Sequence, residues 1–175
     1  LVQNYTKAFL KSCETGKAIH VGQDLRPSSP EIAGQVLSAI RAAGLTAIDC
    51  GAVPTPALAY SAMQQGHGAI MVTGSHIPAD RNGLKFYLPT GEISKSDEIA
   101  ILDALTEDDP NLGQISRAVI SHDSITPFID RYVHAFGKDS LEGLRVGVYQ
   151  HSSVARDLLE TILTELGAIV TRLAR

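Results

Sequence analysis

Residues 46–74, TAIDCGAVPTPALAYSAMQQGHGAIMVTG, contain a strand, a helix and a second strand in immediate succession. TAIDCGA (46–52) has the short apolar pattern of a strand, and PTPALAYSAMQQ (54–65) has its prolines near the start, where a helix tolerates them. GAIMVTG (68–74) is almost continuously apolar, which is typical of a strand covered on both faces of a parallel sheet. This stretch therefore predicts a parallel βαβ unit with a right-handed crossover.

The residues before this stretch repeat the alternation of strands and helices. AIHV (18–21) predicts a strand that leads into the polar loop GQDLRPSS, and an amphipathic helix is predicted in residues 28–44. Ser28 and Glu31 have the spacing of a capping box, and Gly44 is a typical helix end. One apolar helix face is predicted to lie on the sheet, at Ile32, Val36, Ala39, Ile40 and Ala43.

The pattern changes after residue 74. A polar loop, SHIPADRNG (75–83), is followed by an alternating strand, LKFYLP (84–89), and by a capped helix in GEISKSDEIAILDAL (91–105). Residues 107–121 lack helical periodicity and predict an extended excursion. Together these elements predict an α/β fold, a three-layer α/β/α domain with a mixed, mainly parallel sheet.

A domain boundary is predicted near residue 138. A helix from about Ile125 to Phe136 ends in the polar, glycine-flanked segment GKDSLEG (137–143), and strand, helix and strand follow in residues 141–175. One βαβ unit cannot cover both faces of its own strands, so residues 139–175 are predicted to begin a second α/β domain whose remainder is missing. Residues 1–138 then form the first domain, with residues also expected before Leu1, because the sequence does not start with Met and is already helical in pattern.

The bulk composition excludes some classes of function. The formal charge of -4 comes without a basic stripe, so no nucleic-acid partner is expected. No apolar run approaches the roughly 18 residues of a membrane-spanning helix, so no membrane partner is expected either. Cys13 and Cys50 lack metal-ligand spacing and are interpreted as reduced thiols of a cytoplasmic protein.

The loop after the third strand carries an unusual density of reactive side chains. TGSHIPADRNGLKFY (73–87) places serine, histidine, aspartate, arginine and lysine directly after a buried strand, where α/β proteins gather their ligands. The Ser75 hydroxyl could serve there as a phosphate carrier or as a hydrolase nucleophile. The GxSxG elbow of a hydrolase is absent, and Arg81 and Lys85 are local cations for a phosphoserine, so the phosphate carrier is favoured.

The same stretch resembles the phosphoserine loop of the α-D-phosphohexomutases, T-[AG]-S-H-N-P-x-x-x-N-G-x-K. Two further segments are similar to family motifs, VGQDLRPSS (21–29) to V-G-x-D-x-R-x-S and GAVPTPALAYSA (51–62) to G-x-V-P-T-P-x-L. The three segments stand in the family's order and cover most of residues 18–90. Gly74 resembles the phosphomannomutase/phosphoglucomutase branch more than the phosphoglucosamine branch, which favours mannose and glucose phosphates as substrates.

The resemblance implies a reaction and a set of roles. Ser75 is expected to be phosphorylated at rest, to donate its phosphoryl group to a hexose 1- or 6-phosphate, and to recover a phosphate from the hexose 1,6-bisphosphate intermediate. Lys85 is the expected proton-transfer or charge-stabilising partner, and His76 is expected to position the serine. Substrate or phosphate positioning is implied for Arg81, Asn82, Arg26 and Asp24, although Asp24 and Arg26 have the alternative of a simple loop ion pair worth under about 1 kcal/mol.

Magnesium is the metal that the resemblance implies, with one phosphate oxygen on Ser75 as a ligand. This sequence lacks the D-G-D-x-D-R loop that carries the family's other metal ligands. It also lacks the family's sugar-selecting loop and its terminal phosphate-binding domain. The chain is therefore expected to be an N-terminal fragment that needs the C-terminal domains of the same polypeptide for activity.

Two departures from the family pattern, together with the missing sugar-selecting loop, leave alternatives open. Ile77 stands where the motif usually has Asn, which removes one loop hydrogen bond, and Gln23 replaces a common Arg. One alternative is a phosphoglucosamine mutase. The other is a non-catalytic sugar-phosphate-binding relative whose Ser75 stays unphosphorylated.

Overall fold

A computed structural model of the chain describes residues 1–78, 80–105 and 119–174. These residues form two compact units, Leu1–His122 and Asp123–Arg175. No helix in the described ranges is long and apolar enough to cross a membrane.

The first unit is built on a six-stranded sheet with the strand order β5-β4-β3-β1-β2-β6. The strands are β1 (Ala18–Gln23), β2 (Thr46–Ala52), β3 (Gly68–Val72), β4 (Leu84–Leu88), β5 (Gly91–Glu92) and β6 (Val119–Ser121), and the helices are α1 (Val2–Ser12), α2 (Ser29–Ala42), α3 (Thr55–Gln64) and α4 (Lys95–Asp103). β1 runs parallel to β2 and β3, and β2 runs parallel to β6, whereas β4 is antiparallel to both of its neighbours. The predicted mixed, mainly parallel sheet is confirmed.

Helices cover both faces of this sheet. Ile19 and Val21 of β1 belong to the core formed with α1, α2 and α4, in which the rings of Phe9 and Phe86 stack with centroids 4.7 Å apart. Side chains alternate along a strand, so Gly22 lies on the opposite face. A Cβ atom there would lie only 3.0 Å from Leu58 Cδ2 of α3, which shows that α3 packs on this face as the third layer.

The start of α2 differs from its prediction. Ser28 is the N-cap residue, but its side chain makes no capping bond, and its backbone is right-handed helical rather than extended. The Ser28 hydroxyl instead accepts a hydrogen bond of 3.1 Å from Asn82 Nδ2, far along the chain. The predicted capping box with Glu31 is therefore wrong, because a tertiary partner takes the hydroxyl.

The buried face of α2 is also shifted from its prediction. Val36, Ala39 and Ile40 are buried as expected, but Ile32 is half-buried and Ala43 is exposed.

At the start of α4 a capping box forms between Ser94 and Asp97, as expected for a capped helix.

The second unit consists of α5 (Ile125–Phe136), β7 (Arg145–Tyr149), α6 (Arg156–Glu165) and β8 (Ile169–Leu173), with β7 and β8 parallel. These elements follow the predicted order of helix, strand, helix and strand. The unit starts earlier than the predicted boundary after residue 138, because α5 packs against α6. Most of the predicted excursion at 107–121 lies outside the described residues, and its last part is β6.

Three histidines that the sequence did not connect meet beside α3. His20 is fully buried in β1, with Nε2 3.3 Å from His67 Nδ1 and its ring centroid 5.2 Å from that of His122. Ser61 Oγ of α3 lies 2.9 Å from His122 Nε2. Burial, and then the two neighbouring histidines, lower the pKa of His20 to about 4.

We expect this histidine to make the fold sensitive to acid. A folded-state pKa of about 4 lies below the ordinary 6.5, so the unfolded chain takes up the proton first, and stability falls as the pH drops from about 6.5 to about 4. The loss from His20 should be roughly 3 kcal/mol over that window. Urea unfolding of the His20→Gln variant should therefore show a flatter pH dependence than the original chain, and the exposed His134→Gln should not. Equal slopes for all three proteins would contradict this account.

Candidate active site

Two loops meet at the carboxyl edge of the central strands. Parallel pairing of β1 with β3 places Gln23 opposite Val72, so both strands end at the same edge. Asp24 follows β1, and its backbone N–H donates to Val72 O at 3.0 Å. The loop after β3, called here the Ser75 loop (residues 73–78 and 80–83), therefore starts beside Asp24, where α/β sheets bind ligands.

Ser75 lies in the exposed part of this loop with a left-handed backbone. Its φ of 48° is uncommon for a residue other than glycine. The backbone N–H of Ser75 donates to Thr73 Oγ1 at 3.0 Å, which closes a local turn. Ser75 Oγ lies 3.1 Å from His76 Nδ1, and both residues are exposed. The hydroxyl is thus accessible to a ligand at the strand ends, with an imidazole beside it.

Asp24 joins the two loops through its carboxylate. Oδ2 accepts from Thr73 Oγ1 at 2.9 Å and from the Gly74 N–H at 3.2 Å, and Oδ1 accepts from the Arg26 N–H at 3.0 Å and from the hydroxyl of buried Ser29. Burial raises the pKa of Asp24, but the four hydrogen bonds together outweigh it and hold the pKa below its usual value. The carboxylate is therefore kept ionised as a structural anion.

Arg26 donates hydrogen bonds to the backbone of the Ser75 loop. Nη1 donates to the carbonyl oxygens of Pro78 at 2.7 Å and Arg81 at 3.0 Å, and Nη2 donates to those of Ile77 at 2.9 Å and Ser75 at 3.3 Å. Nε lies 3.4 Å from Asp24 Oδ2, so the predicted ion pair is present. The guanidinium faces backbone oxygens of the loop.

Asn82 holds the far end of the loop against the start of α2. Its amide Nδ2 donates to Ser29 Oγ at 2.8 Å as well as to Ser28, and its Oδ1 accepts from the Gly83 N–H at 2.9 Å. The Thr73 N–H donates to Gly83 O at 3.0 Å, so the two ends of the loop are joined.

The predicted cations lie on the same segment. Arg81 and Lys85 are both exposed. Met71 pairs with Gly22 of β1, which lies on the face covered by α3. Lys85 is opposite Met71 in the β3–β4 pair, and directly paired residues share a face, so Lys85 also lies on the α3 side of the sheet. Hydrogen bonds therefore connect six of the predicted site residues, Arg81 through its carbonyl oxygen, and the side chains of the two cations extend from the loop and from β4.

Two polar residues of the site were not singled out from the sequence. Thr73 bridges Asp24 and Ser75, and Ser29 bridges Asp24 and Asn82. Thr73 and Ser29 lie inside the quoted motifs, next to Gly74 and Ser28. Their places in those motifs are the sequence feature from which a role in the site could have been predicted. Among the residues that the structure describes, no three or more His, Cys, Asp or Glu side chains are grouped to hold a metal ion.

Residues 1–112 match the family described as phosphoglucomutase/phosphomannomutase, alpha/beta/alpha domain I. The chain belongs to the phosphoglucomutase/phosphomannomutase family. A phosphomannomutase of Sinorhizobium fredii is 48% identical over 166 residues, which are 91% of this chain and 35% of the relative. A phosphoglucosamine mutase of Desulforamulus reducens is 30% identical over 88% of this chain and 36% of its own length.

A solved structure has the same architecture. A phosphoglucomutase/phosphomannomutase family protein from Burkholderia thailandensis superposes with a TM-score of 0.81 at 27% identity, over 98% of this chain and 39% of that protein. The chain thus spans about a third of the length of these family members, and the predicted membership and α/β fold are confirmed.

We expect Asp24→Asn to loosen the site while the matched loop variant Asp80→Asn does not. The neutral amide retains one acceptor oxygen for four donors, one of them the fully buried Ser29, so the free energy of unfolding should fall by about 1 to 3 kcal/mol. Exposed Asp80 should change it by less than about 0.5 kcal/mol. The effect of Asp24→Asn should shrink as the pH falls below 3.8, because the unfolded chain then takes up a proton on Asp24 before the folded chain, whose pKa is lower, and the original protein loses this stabilisation. Denaturant unfolding at pH 7 and pH 3 measures both differences, and equal stability of the two variants at pH 7 would contradict the role of Asp24.

Proposed function

We propose that the whole protein interconverts hexose 6-phosphates and hexose 1-phosphates through a phosphoserine at Ser75. The observation that supports this most directly is the accessible Ser75 hydroxyl, held at the carboxyl edge of the sheet by a hydrogen-bonded loop. Family membership makes this chemistry the leading expectation for such a serine. The chain supplies the phosphoryl carrier, and the remaining domains of the same polypeptide are proposed to supply the rest of the site.

The proposed transfer is balanced at the phosphorus atom. The bond between Ser75 Oγ and phosphorus breaks while a sugar hydroxyl oxygen bonds to phosphorus, and the proton of that hydroxyl passes by way of a base to the departing Ser75 Oγ, which becomes a hydroxyl again. The resulting hexose 1,6-bisphosphate reorients and returns its other phosphoryl group to Ser75 by the reverse step. Lys85 is the proposed base or charge-stabilising group, because it is exposed on the strand that follows the loop.

The local charges fit a phosphorylated serine. A phosphoserine carries a charge of about -1.5 to -2, and Arg81 and Lys85 are exposed cations on the same segment. His76 Nδ1, 3.1 Å from Ser75 Oγ, is close enough to donate a hydrogen bond to a phosphate oxygen there.

Magnesium fits this site only in part. A phosphate oxygen on exposed Ser75 is the hard oxygen ligand that Mg²⁺ prefers, whereas the described residues hold no acidic cluster to complete its coordination. The other ligands are therefore proposed to come from the rest of the protein. When bound, the ion would offset the charge on the transferred phosphoryl group.

Mannose and glucose phosphates are the proposed substrates. The named phosphomannomutase relative is 48% identical to this chain, against 30% for the phosphoglucosamine mutase. Cys13 and Cys50 are not joined in a disulfide, which supports a reducing, cytoplasmic location for the enzyme.

The first test is the intact mass of the full-length protein. A fraction should carry about 80 Da above the sequence mass, rising after incubation with hexose 1,6-bisphosphate, and Ser75→Ala should abolish the surplus. Ser153→Ala, an exposed serine of the second unit, is the control. Absence of any surplus after the incubation would contradict the proposal and favour a non-catalytic sugar-phosphate-binding protein.

The second test concerns Lys85. In the full-length enzyme, Lys85→Met should lower kcat by about 100-fold or more, because a positioned proton-transfer group contributes on that scale. Lys95→Met removes an exposed lysine paired with Glu98 on α4 and should leave kcat unchanged. Steady-state assays with mannose 1-phosphate measure both, and equal kcat values would remove Lys85 from the mechanism.

A further inference from the structure

We infer that Arg26 positions Ser75 by clamping its loop and binds no phosphate itself, and that the guanidinium of Arg26 lies in the space that a side chain at position 74 would need. This inference rests on the proposed function of Ser75. It differs from the motif-based expectation that Arg26 positions a substrate phosphate directly.

The hydrogen-bonding capacity of Arg26 is already used. A guanidinium has five N–H groups, in a planar fork with fixed directions. Four are accounted for by the carbonyl oxygens of Ser75, Ile77, Pro78 and Arg81, and Nε lies beside the Asp24 carboxylate. To bind a phosphate, Arg26 would have to release carbonyl oxygens of the loop that holds Ser75.

The positive charge of Arg26 is also offset by a neighbouring carboxylate. The Asp24 carboxylate lies 3.4 Å from Nε, and both side chains are only 16% exposed. An ionised carboxylate at that distance offsets most of the attraction that the guanidinium would exert on a phosphate outside the loop. The positive charge for a phosphorylated Ser75 is then left to Arg81 and Lys85, which are exposed.

The guanidinium of Arg26 also packs directly against the backbone of Gly74. A Cβ atom at position 74 would overlap the guanidinium carbon and Nε of Arg26 and would lie 2.7 Å from Nη2. Real Cβ atoms essentially never approach other atoms that closely, so an alanine would displace the guanidinium. The φ of Gly74 is not in the left-handed region, so a side chain at this position is disfavoured by lack of space and not by the backbone conformation.

The clamp acts on the part of the loop that must be rigid for transfer. It gathers carbonyl oxygens on both sides of His76 onto one planar group, and it includes the carbonyl of Ser75 itself. Misplacing a reacting group by about 1 Å can cost 100-fold in rate. Loss of the clamp should therefore reduce turnover more than it reduces substrate affinity.

The test uses the full-length enzyme with Arg26→Ala, Arg26→Lys and Gly74→Ala, and with Gly34→Ala as the matched glycine control. Gly34 is exposed on α2 with an ordinary φ and has open space where a Cβ atom would stand, so its replacement should leave kcat unchanged. Arg26→Ala should lower kcat for mannose 1-phosphate by about 100-fold while KM changes by less than about 3-fold. Arg26→Lys should retain part of the kcat that Arg26→Ala loses, because an ammonium group has three N–H donors on one nitrogen in place of the five of the guanidinium.

Gly74→Ala should lower kcat in the same direction as Arg26→Ala but by less, because the guanidinium stands at the end of a flexible side chain and can shift. The double variant should be no worse than Arg26→Ala alone, since both changes act on one contact set. Hydrogen exchange of the peptide that contains Ser75, measured without substrate, should be faster in all three clamp variants and unchanged in Gly34→Ala. A thermal unfolding curve close to that of the original enzyme establishes that each variant is folded, and Arg26→Lys provides the second reading if Arg26→Ala is not.

The outcomes separate the two proposals. A large rise in KM with kcat and hydrogen exchange unchanged in Arg26→Ala would show that Arg26 binds the substrate phosphate, which overturns the inference. Full activity of Gly74→Ala would overturn the placement of the guanidinium against position 74. An original enzyme that never carries phosphate on Ser75 would overturn the proposed function, whereas the hydrogen-exchange comparison would still decide whether the clamp holds the loop.

Discussion

The carboxylate of Asp24 accepts hydrogen bonds from both loops that leave the carboxyl edge of the sheet, and the position of Ser75 depends on it. Parallel pairing of β1 with β3 brings the two loops together, since Gln23 and Val72 end their strands side by side. Asp24 then links its own loop, through Arg26 N and Ser29, to the next one, through Thr73 and Gly74. The sheet topology and the site are thus connected by one ionised group.

This network also accounts for the backbone of Ser75. A non-glycine residue in a left-handed conformation costs on the order of 1 to 3 kcal/mol and persists where its surroundings fix it. A hydrogen bond to a charged group contributes about 1.5 to 3 kcal/mol, and Asp24 accepts four of them. Even after the cost of burying the carboxylate, the network is large enough to hold Ser75 in the conformation that leaves its hydroxyl accessible.

The sequence predicts the local features of this molecule better than its long-range ones. The apolar run 68–72 and the periodicity of α2 come from neighbouring residues, so the strand and the helix could be recognised from pattern. The donors of Arg26, however, reach carbonyl groups about fifty positions away, and the Ser28 hydroxyl leaves its local capping role for Asn82. The grouping of three histidines beside α3 likewise depends on which strands are adjacent, which no local pattern encodes.

The departure at Ile77 shows why the loop can vary in one side chain and still be held. The family motif usually has Asn there, so one side-chain hydrogen bond of the loop is absent. In the structure the backbone of Ile77 is bound at both polar groups, because its N–H donates to Gly74 O at 2.9 Å and its carbonyl accepts from Arg26 Nη2 at 2.9 Å. Any residue other than proline can make these two bonds, and the Ile77 side chain is 40% exposed, so little packing depends on it. The constraint on this loop therefore falls on the residues that bind its backbone, Asp24 and Arg26, and on Gly74, which leaves room for the guanidinium of Arg26.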